Sequence, residues 1–155
     1  VVVITGGDNA LYTKLGKRIW HFPTLVNNYV TNIPDWMLSA DLLITKAGGL
    51  ILSEGLAAGL PIVLINNLPG QEEGNVRYIL ENNAGILAST PAELIPILNS
   101  WLSNGQSNLN TIKDNSSRLG HPSAALSVSE SLWQASSSSA VSEPFTQPEI
   151  VGYLE

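Results

Sequence analysis

The chain alternates short β-branched apolar runs with helical stretches, and each run stops at a turn residue. Residues 1–5 read Val-Val-Val-Ile-Thr and stop at Gly6-Gly7. Residues 19–29 contain a second extended stretch interrupted by Pro23, and residues 41–45 carry Leu42, Leu43 and Ile44. Residues 61–65, Pro-Ile-Val-Leu-Ile, are bounded by Asn66-Asn67, and residues 85–88 form a last short run. Apolar runs of this length between turn signals predict strands. Helices are predicted over 8–17, 32–40, 50–59, 71–82 and from 90 to about 102. Asp8 or Asn9 caps the first. Pro34 falls in the first turn of the second, where a missing N–H costs nothing. The third ends at Gly59, and residues 83–85 stop the fourth. Thr90, Pro91 and Glu93 give the fifth a capping-box start. Strands that alternate with helices require parallel pairing through crossovers. Near-continuous apolar strands suit a sheet covered on both faces. The expected class is α/β, a doubly wound parallel sheet.

Composition narrows the function classes. Charged residues make up 13% of the 155 residues, against roughly 25% in a typical domain. Hydrophobic residues reach 44%, enough to bury a core. A net charge of −6 argues against a nucleic-acid partner, which needs clustered Lys and Arg. The absence of cysteine removes disulfides, thiolate nucleophiles and cysteine-based zinc sites. Two histidines give no basis for a multi-His metal site. No apolar run reaches the roughly 18 residues that cross a bilayer. The chain opens without Met, a basic n-region or a signal-peptide core, and it opens inside a strand, so it reads as a fragment whose N-terminal part is missing. After Gly105 Asn and Ser become frequent. Residues 108–133 are expected to form one or two weak helices packing back on the domain. The expected domain is 1–134, with its core in about 1–104, and 135–155 is a Ser/Pro-containing tail expected to be disordered.

The sharpest motif is Thr45-Lys46-Ala47-Gly48-Gly49-Leu50-Ile51-Leu52-Ser53-Glu54. A strand ends, a glycine pair follows, and a helix begins. Free backbone N–H groups and the helix dipole at such a junction favour an anion, well suited to a diphosphate. In open α/β sheets this is the edge where ligands bind. A lone glycine pair more often makes only a tight turn, and neither a Walker A loop nor a G-x-G-x-x-G fingerprint is present. Glu54, one and a half turns on, is placed to accept hydrogen bonds from vicinal ribose hydroxyls, or is simply a solvated helix residue. A second polar segment, Leu68-Pro69-Gly70-Gln71-Glu72-Glu73-Gly74-Asn75, also follows a strand. Its amide and carboxylate groups match sugar hydroxyls, which donate and accept; acidic residues at a helix start also serve the dipole alone. One loop suited to phosphate and one to hydroxyls on the same edge favour a nucleotide-sugar site.

Residues 36–85 resemble the glycosyltransferase family 28 C-terminal domain, with the looser pattern continuing over roughly the first 100 residues. The resemblance is strongest to the monogalactosyldiacylglycerol synthases and diacylglycerol glucosyltransferases. It is carried by Trp36-Met37, Asp41, Ile44-Thr45-Lys46-Ala47-Gly48, Glu54, Gly59-Leu60-Pro61-Ile62, Pro69-Gly70-Gln71-Glu72, Gly74-Asn75 and Asn83-Ala84-Gly85. It implies the Rossmann-like, C-terminal, donor-binding half of a GT-B glycosyltransferase. Such an enzyme transfers galactose or glucose from a UDP-hexose to a diacylglycerol-type lipid, with inversion and without metal or other cofactor. By position, Val30 then holds the uracil beside Tyr29. Gly48 and Gly49 offer N–H groups to the diphosphate, and Glu54 holds the ribose. Gln71 and Glu72 read the hexose, and Asn75 supports their loop. Lys46 adds charge near the phosphates or points to solvent.

The resemblance also implies an acceptor domain, in the missing N-terminal part or in a partner subunit, and a cytoplasmic protein peripheral to a membrane surface. No catalytic residue is assigned, because the family's general base belongs to the acceptor domain. The lipid-galactosylating relatives usually carry Gly-Pro-Gly-Thr where this chain has Gly48-Gly49-Leu50-Ile51; Ile51 lacks a hydroxyl for a phosphate, while the backbone donors survive. His21 and His121 fall on no motif position and are read as structural or exposed. Three alternatives stand beside this reading: a donor subunit of a split glycosyltransferase, a nucleotide-sugar 2-epimerase, and a non-catalytic nucleotide-sugar-binding domain.

Overall fold

The computed structural model describes residues 1–66, 70–103 and 107–137. The proposed tail falls mainly on 138–155, outside the described residues, as do Leu68 and Pro69. The elements run in order β1 (Val2–Ile4), α1 (Asn9–Gly16), β2 (Leu25–Asn27), α2 (Ile33–Leu38), β3 (Leu43–Lys46), α3 (Gly49–Ala57), β4 (Ile62–Asn66), α4 (Glu73–Glu81), β5 (Gly85–Leu87), α5 (Pro91–Ser103), α6 (Ser107–Leu119) and α7 (Ala124–Ser137). Val1–Pro122 forms one compact unit and a second begins at Ser123, so α7 is a unit apart from the rest. Among the described residues no helix is long and apolar enough to cross a membrane.

Among the described residues the strand pairings are parallel, as the alternation of elements requires. The ladders divide in two: β1 pairs β2, and β3, β4 and β5 form a three-stranded sheet in that order. The expected single sheet is thus interrupted in its hydrogen bonding between β1–β2 and β3–β4–β5 among the described residues. The N-terminal strands are only three residues long and fully bury no side chain, which leaves little to fix a longer ladder.

β4 is the middle strand and shows why both faces are covered. Its side chains alternate between faces. Ile62 and Leu64 enter one core with Ala47, Leu52, Leu56, Val76, Ile79 and Ala84, drawn from the β3 end, α3 and α4. Val63 enters another with Ala88, Trp101 and Leu109, joined by Leu94 and Ile97 of α5. A strand with helices on each face has no polar side, hence the unbroken run at 61–65.

Local signals set the helix ends. The Asp8 carboxylate accepts from the Leu11 N–H at 2.8 Å and caps α1. Gly59 takes φ +68°, the left-handed conformation that stops α3 without steric cost. Thr90 Oγ1 accepts from Glu93 N–H at 3.3 Å, while the Glu93 carboxylate reaches back to Ser89 N–H at 2.8 Å. Thr90 thus caps α5 as predicted, and only the return bond from the Glu93 carboxylate shifts by one residue, from Thr90 N–H to Ser89 N–H. α6 packs on α3 and α5. It also fixes the α4–β5 junction: Asn115 donates to the Asn83 carbonyl at 2.9 Å, and buried Ser116 to that of Ala84 at 3.2 Å.

Candidate functional site

The C-terminal ends of β3 and β4 build the site. The register between them shifts between Thr45 and Lys46: Thr45 lies opposite Leu64, but Lys46 lies opposite Asn66. Such an irregularity re-aims the residue that follows it. Here it lets Lys46 reach across to the start of α4, where Nζ sits 3.2 Å from Glu72 Oε1. The two ends of this pair differ in environment. The Lys46 side chain is 61% exposed, whereas that of Glu72 is 9% exposed.

Between the strands, Gly48 closes the β3–α3 junction at φ −68°, ψ 134° and offers α3 no side-chain cap. The first intrahelical bond is Leu52 N–H to the Gly48 carbonyl, at 3.1 Å. The preceding N–H groups of a helix have no partner of this kind within it, and the dipole adds positive potential there. No acidic residue stands in the first turn to consume that potential. A β-carbon built on Gly48 lies 3.8 Å from both Glu72 Oε1 and Lys46 Cε, and one on Gly49 lies 3.7 Å from Asn75 Nδ2. The glycine turn, the ion pair and Asn75 are therefore neighbours.

Asn75 has a definite task. Its Nδ2 donates to the Ala47 carbonyl at 2.8 Å and so ties α4 to the glycine turn. The sequence reading has Asn75 supporting the Gln71–Glu72 segment; the bond found goes to the other loop. α4 begins at Glu73, two residues later than predicted. Gly70 N–H donates to Glu73 Oε1 at 3.1 Å, which holds the segment before the helix as a turn. Gln71 is exposed within that turn.

Glu54 lies half-buried on α3, five residues after Gly49, or about 7.5 Å along the axis at the usual rise. It shares a helix face with Leu50 and Ile51 by i, i+3 and i+4 spacing, away from buried Leu52 and Leu56. Among the described residues no hydrogen bond or ion pair engages its carboxylate. Tyr29 and Val30 follow β2, in the other ladder. Tyr29 is 73% exposed and Val30 half-buried. No hydrogen bond among the described residues joins either to the β3–β4 loops. The structure thus brings Lys46, Gly48, Gly49, Glu72 and Asn75 together, places Glu54 further along α3 and Gln71 in the turn before Glu72, and leaves Tyr29 and Val30 unlinked by bonds.

A family model described as the glycosyltransferase family 28 C-terminal domain matches residues 1–128. The chain belongs to that family. Monogalactosyldiacylglycerol synthase 3 of Arabidopsis thaliana is 36% identical over 128 residues, covering 83% of this chain and 28% of that protein. Synthase 2 of the same plant is 37% identical over the same length, 27% of its own chain. A probable monogalactosyldiacylglycerol synthase of Nicotiana tabacum is 34% identical over 128 residues, 83% of this chain and 24% of its own. The chain spans roughly a quarter of the length of these relatives. Among solved structures, the glycosyltransferase SnogD from Streptomyces nogalater superposes with a TM-score of 0.52 at 17% identity, covering 84% of this chain and 33% of that one. The glycotransferase of kitacinnamycin gives 0.51 at 19% identity, covering 74% of this chain and 31% of its own. These likenesses show the fold, that of GT-B glycosyltransferases.

In this family 28 domain the departure at Ile51 has a structural reason. Ile51 is partly buried and packs against the α3–α4 core. Its Cγ2 also stands 3.7 Å from where a β-carbon on Gly48 would lie, beside the glycine turn. His21 and His121 are both exposed. Among the described residues no group of three His, Cys, Asp or Glu side chains is arranged to hold a metal ion.

Proposed function

We propose that this chain is the UDP-hexose-binding domain of a glycosyltransferase that transfers galactose or glucose, with inversion, to a diacylglycerol-type lipid. One observation carries the reading. The uncapped start of α3 opens beside the Lys46 ammonium at the end of β3 and the Glu72 carboxylate and Asn75 amide at the start of α4. That set offers donors to a diphosphate and both donors and acceptors to sugar hydroxyls. Family membership and the likeness to monogalactosyldiacylglycerol synthases support the sugar and lipid classes.

In the transfer, an acceptor hydroxyl oxygen attacks the anomeric carbon. The bond from that carbon to the diphosphate oxygen breaks, and UDP departs with the electron pair. N–H groups at the Gly48-Gly49 turn and the α3 dipole stabilise the charge growing on the diphosphate. Glu54 holds the ribose, Gln71 and Glu72 read the hexose, and Tyr29 with the Val30 backbone meets the uracil. The hydroxyl proton goes to a base outside this domain, in an acceptor domain or a partner subunit that also meets the membrane surface. A metal has no assigned part in these steps.

Calorimetry with UDP and UDP-galactose tests the binding. UDP is expected to bind the chain, and Glu54→Ala is expected to weaken it by roughly 1–3 kcal/mol through loss of charge-assisted bonds to the ribose. Unchanged affinity in that variant removes Glu54 from the site. No heat and no thermal protection by UDP refutes the donor-binding reading and leaves a non-catalytic domain. Mixing the chain with UDP-galactose and diacylglycerol is expected to give no glycolipid; robust product would place the base within this chain.

A further inference from the structure

Glu72 poses an electrostatic problem for the site described above. Glu72 and Ser116 are the buried polar residues among the described residues, Glu72 at 7% exposure. The Glu72 carboxylate also stands 3.8 Å from where a β-carbon on Gly48 would lie, at the mouth of the α3 start. A carboxylate so placed repels a diphosphate arriving at the same turn, and burial limits the screening that water and salt provide. The nearest countercharge is Lys46, whose aliphatic arm lines the same side of Gly48 and whose ammonium is bonded to Glu72 Oε1 at 3.2 Å. It is the only salt bridge among the described residues. Its lysine end is largely in solvent, so the ammonium moves on a flexible stem while the carboxylate stays fixed.

We propose that Lys46 is a shared counter-ion, exchanged between Glu72 and the donor diphosphate, so that phosphate binding draws the ammonium off Oε1 and leaves that fixed oxygen to accept from a hydroxyl of the sugar. This rests on the donor-binding reading and adds a coupling to it. The phosphate and hexose subsites share one cation, and filling the first prepares the second. No proton changes hands; one ammonium replaces its carboxylate bond with a phosphate bond, and a sugar O–H donates to the oxygen left behind. Lys46 is thereby required less for its own bond to phosphate than for cancelling Glu72.

UDP titrations of four proteins test it: the unsubstituted chain, Lys46→Met, Glu72→Gln and the double variant, each checked by a thermal melt without nucleotide. Lys46→Met is expected to weaken UDP binding about tenfold or more, because the negative charge of Glu72 then faces the phosphate without the ammonium beside it. Glu72→Gln is expected to tighten UDP about threefold by freeing the ammonium. The double variant is expected within about threefold of the unsubstituted chain, a non-additive outcome for groups acting as a pair. Lys46→Arg, which keeps the charge, should restore most of the loss. A double variant as weak as Lys46→Met overturns the exchange and leaves the donor reading intact. Failure of the unsubstituted chain to bind UDP overturns the donor reading and this inference with it. If Glu72→Gln melts below the assay temperature, salt decides between the other two. Raising it from ~50 to ~500 mM must weaken UDP binding more in the unsubstituted chain than in Lys46→Met, where screening also relieves the Glu72 repulsion. Equal losses overturn the proposal.

Discussion

Replacing Gly85 by alanine is expected to lower the melting temperature by about 10–20 °C, corresponding to roughly 3 kcal/mol of stability lost. Gly85 opens β5 and lies opposite Ile62 in the parallel ladder. A β-carbon there would stand 2.1 Å from the Ile62 carbonyl oxygen and 2.8 Å from Ile79 Cγ2. The first contact is with backbone in the middle strand, which cannot swing aside as a side chain can. Relief requires β5 to move off β4, and that disturbs both cores, because Ile62 and Val63 face opposite sides. Overpacking of this kind destabilises even when the residue added is small. Gly74→Ala is the matched control. Gly74 lies in α4 with nothing within 4 Å of an added β-carbon. There the substitution removes only the excess flexibility of glycine in a helix, and a gain of up to about 1 kcal/mol is expected. Thermal melts of the two variants check both signs. A Gly85→Ala protein that melts with the parent would mean that β5 does not sit against β4 as described.

The same strands show what was readable in advance. β4 was legible because a strand covered on both faces is apolar, and β3 and β5 because short apolar runs end at turn residues, although Ile44 of β3 is 41% exposed. The starts of α1 and α5 were legible because capping is local chemistry, written within four residues. The start of α4 was misplaced by two residues, since Gln71 and Glu72 have ordinary helix propensity and nothing local says that Glu73 will bond back to Gly70. The pairing of β1 with β2 apart from the other three strands was not legible; it depends on how short strands meet in space. At the site, the glycine turn was visible in the motif, but its relation to Glu72 was not. Lys46 and Glu72 are 26 residues apart, and their meeting depends on a register shift that no local pattern encodes. A lysine at the end of one strand and an acidic residue after the next, in parallel strands, was the available signal. The bond from Asn75 to the Ala47 carbonyl was hidden for the same reason.

Gly48→Asp is expected to leave the melting temperature nearly unchanged and to weaken UDP binding about 100-fold. The two effects separate because the position has two independent roles. For folding, Gly48 is the N-cap of α3 at φ −68° and ψ 134°, a conformation open to any residue. A new β-carbon meets nothing closer than 3.7 Å. Aspartate is itself a favoured N-cap, and the few tenths of a kcal/mol it adds there offset its repulsion from Glu72, whose Oε1 lies 3.8 Å from the added β-carbon. For binding, the substitution puts a carboxylate on the helix N–H groups assigned to the diphosphate. It occupies those donors, adds a negative charge about 4 Å from the phosphate, and competes with Glu72 for Lys46. At an effective dielectric near 20, one such charge is worth up to about 4 kcal/mol. Gly48→Asn separates charge from shape, because asparagine caps equally well and is nearly the same size. It is expected to lose no more than about tenfold in UDP affinity, the cost of a competing but neutral acceptor. If Asp and Asn at position 48 bind UDP alike, the charge of the ligand does not lie at the start of α3, and the diphosphate must be sought at another strand end of the domain.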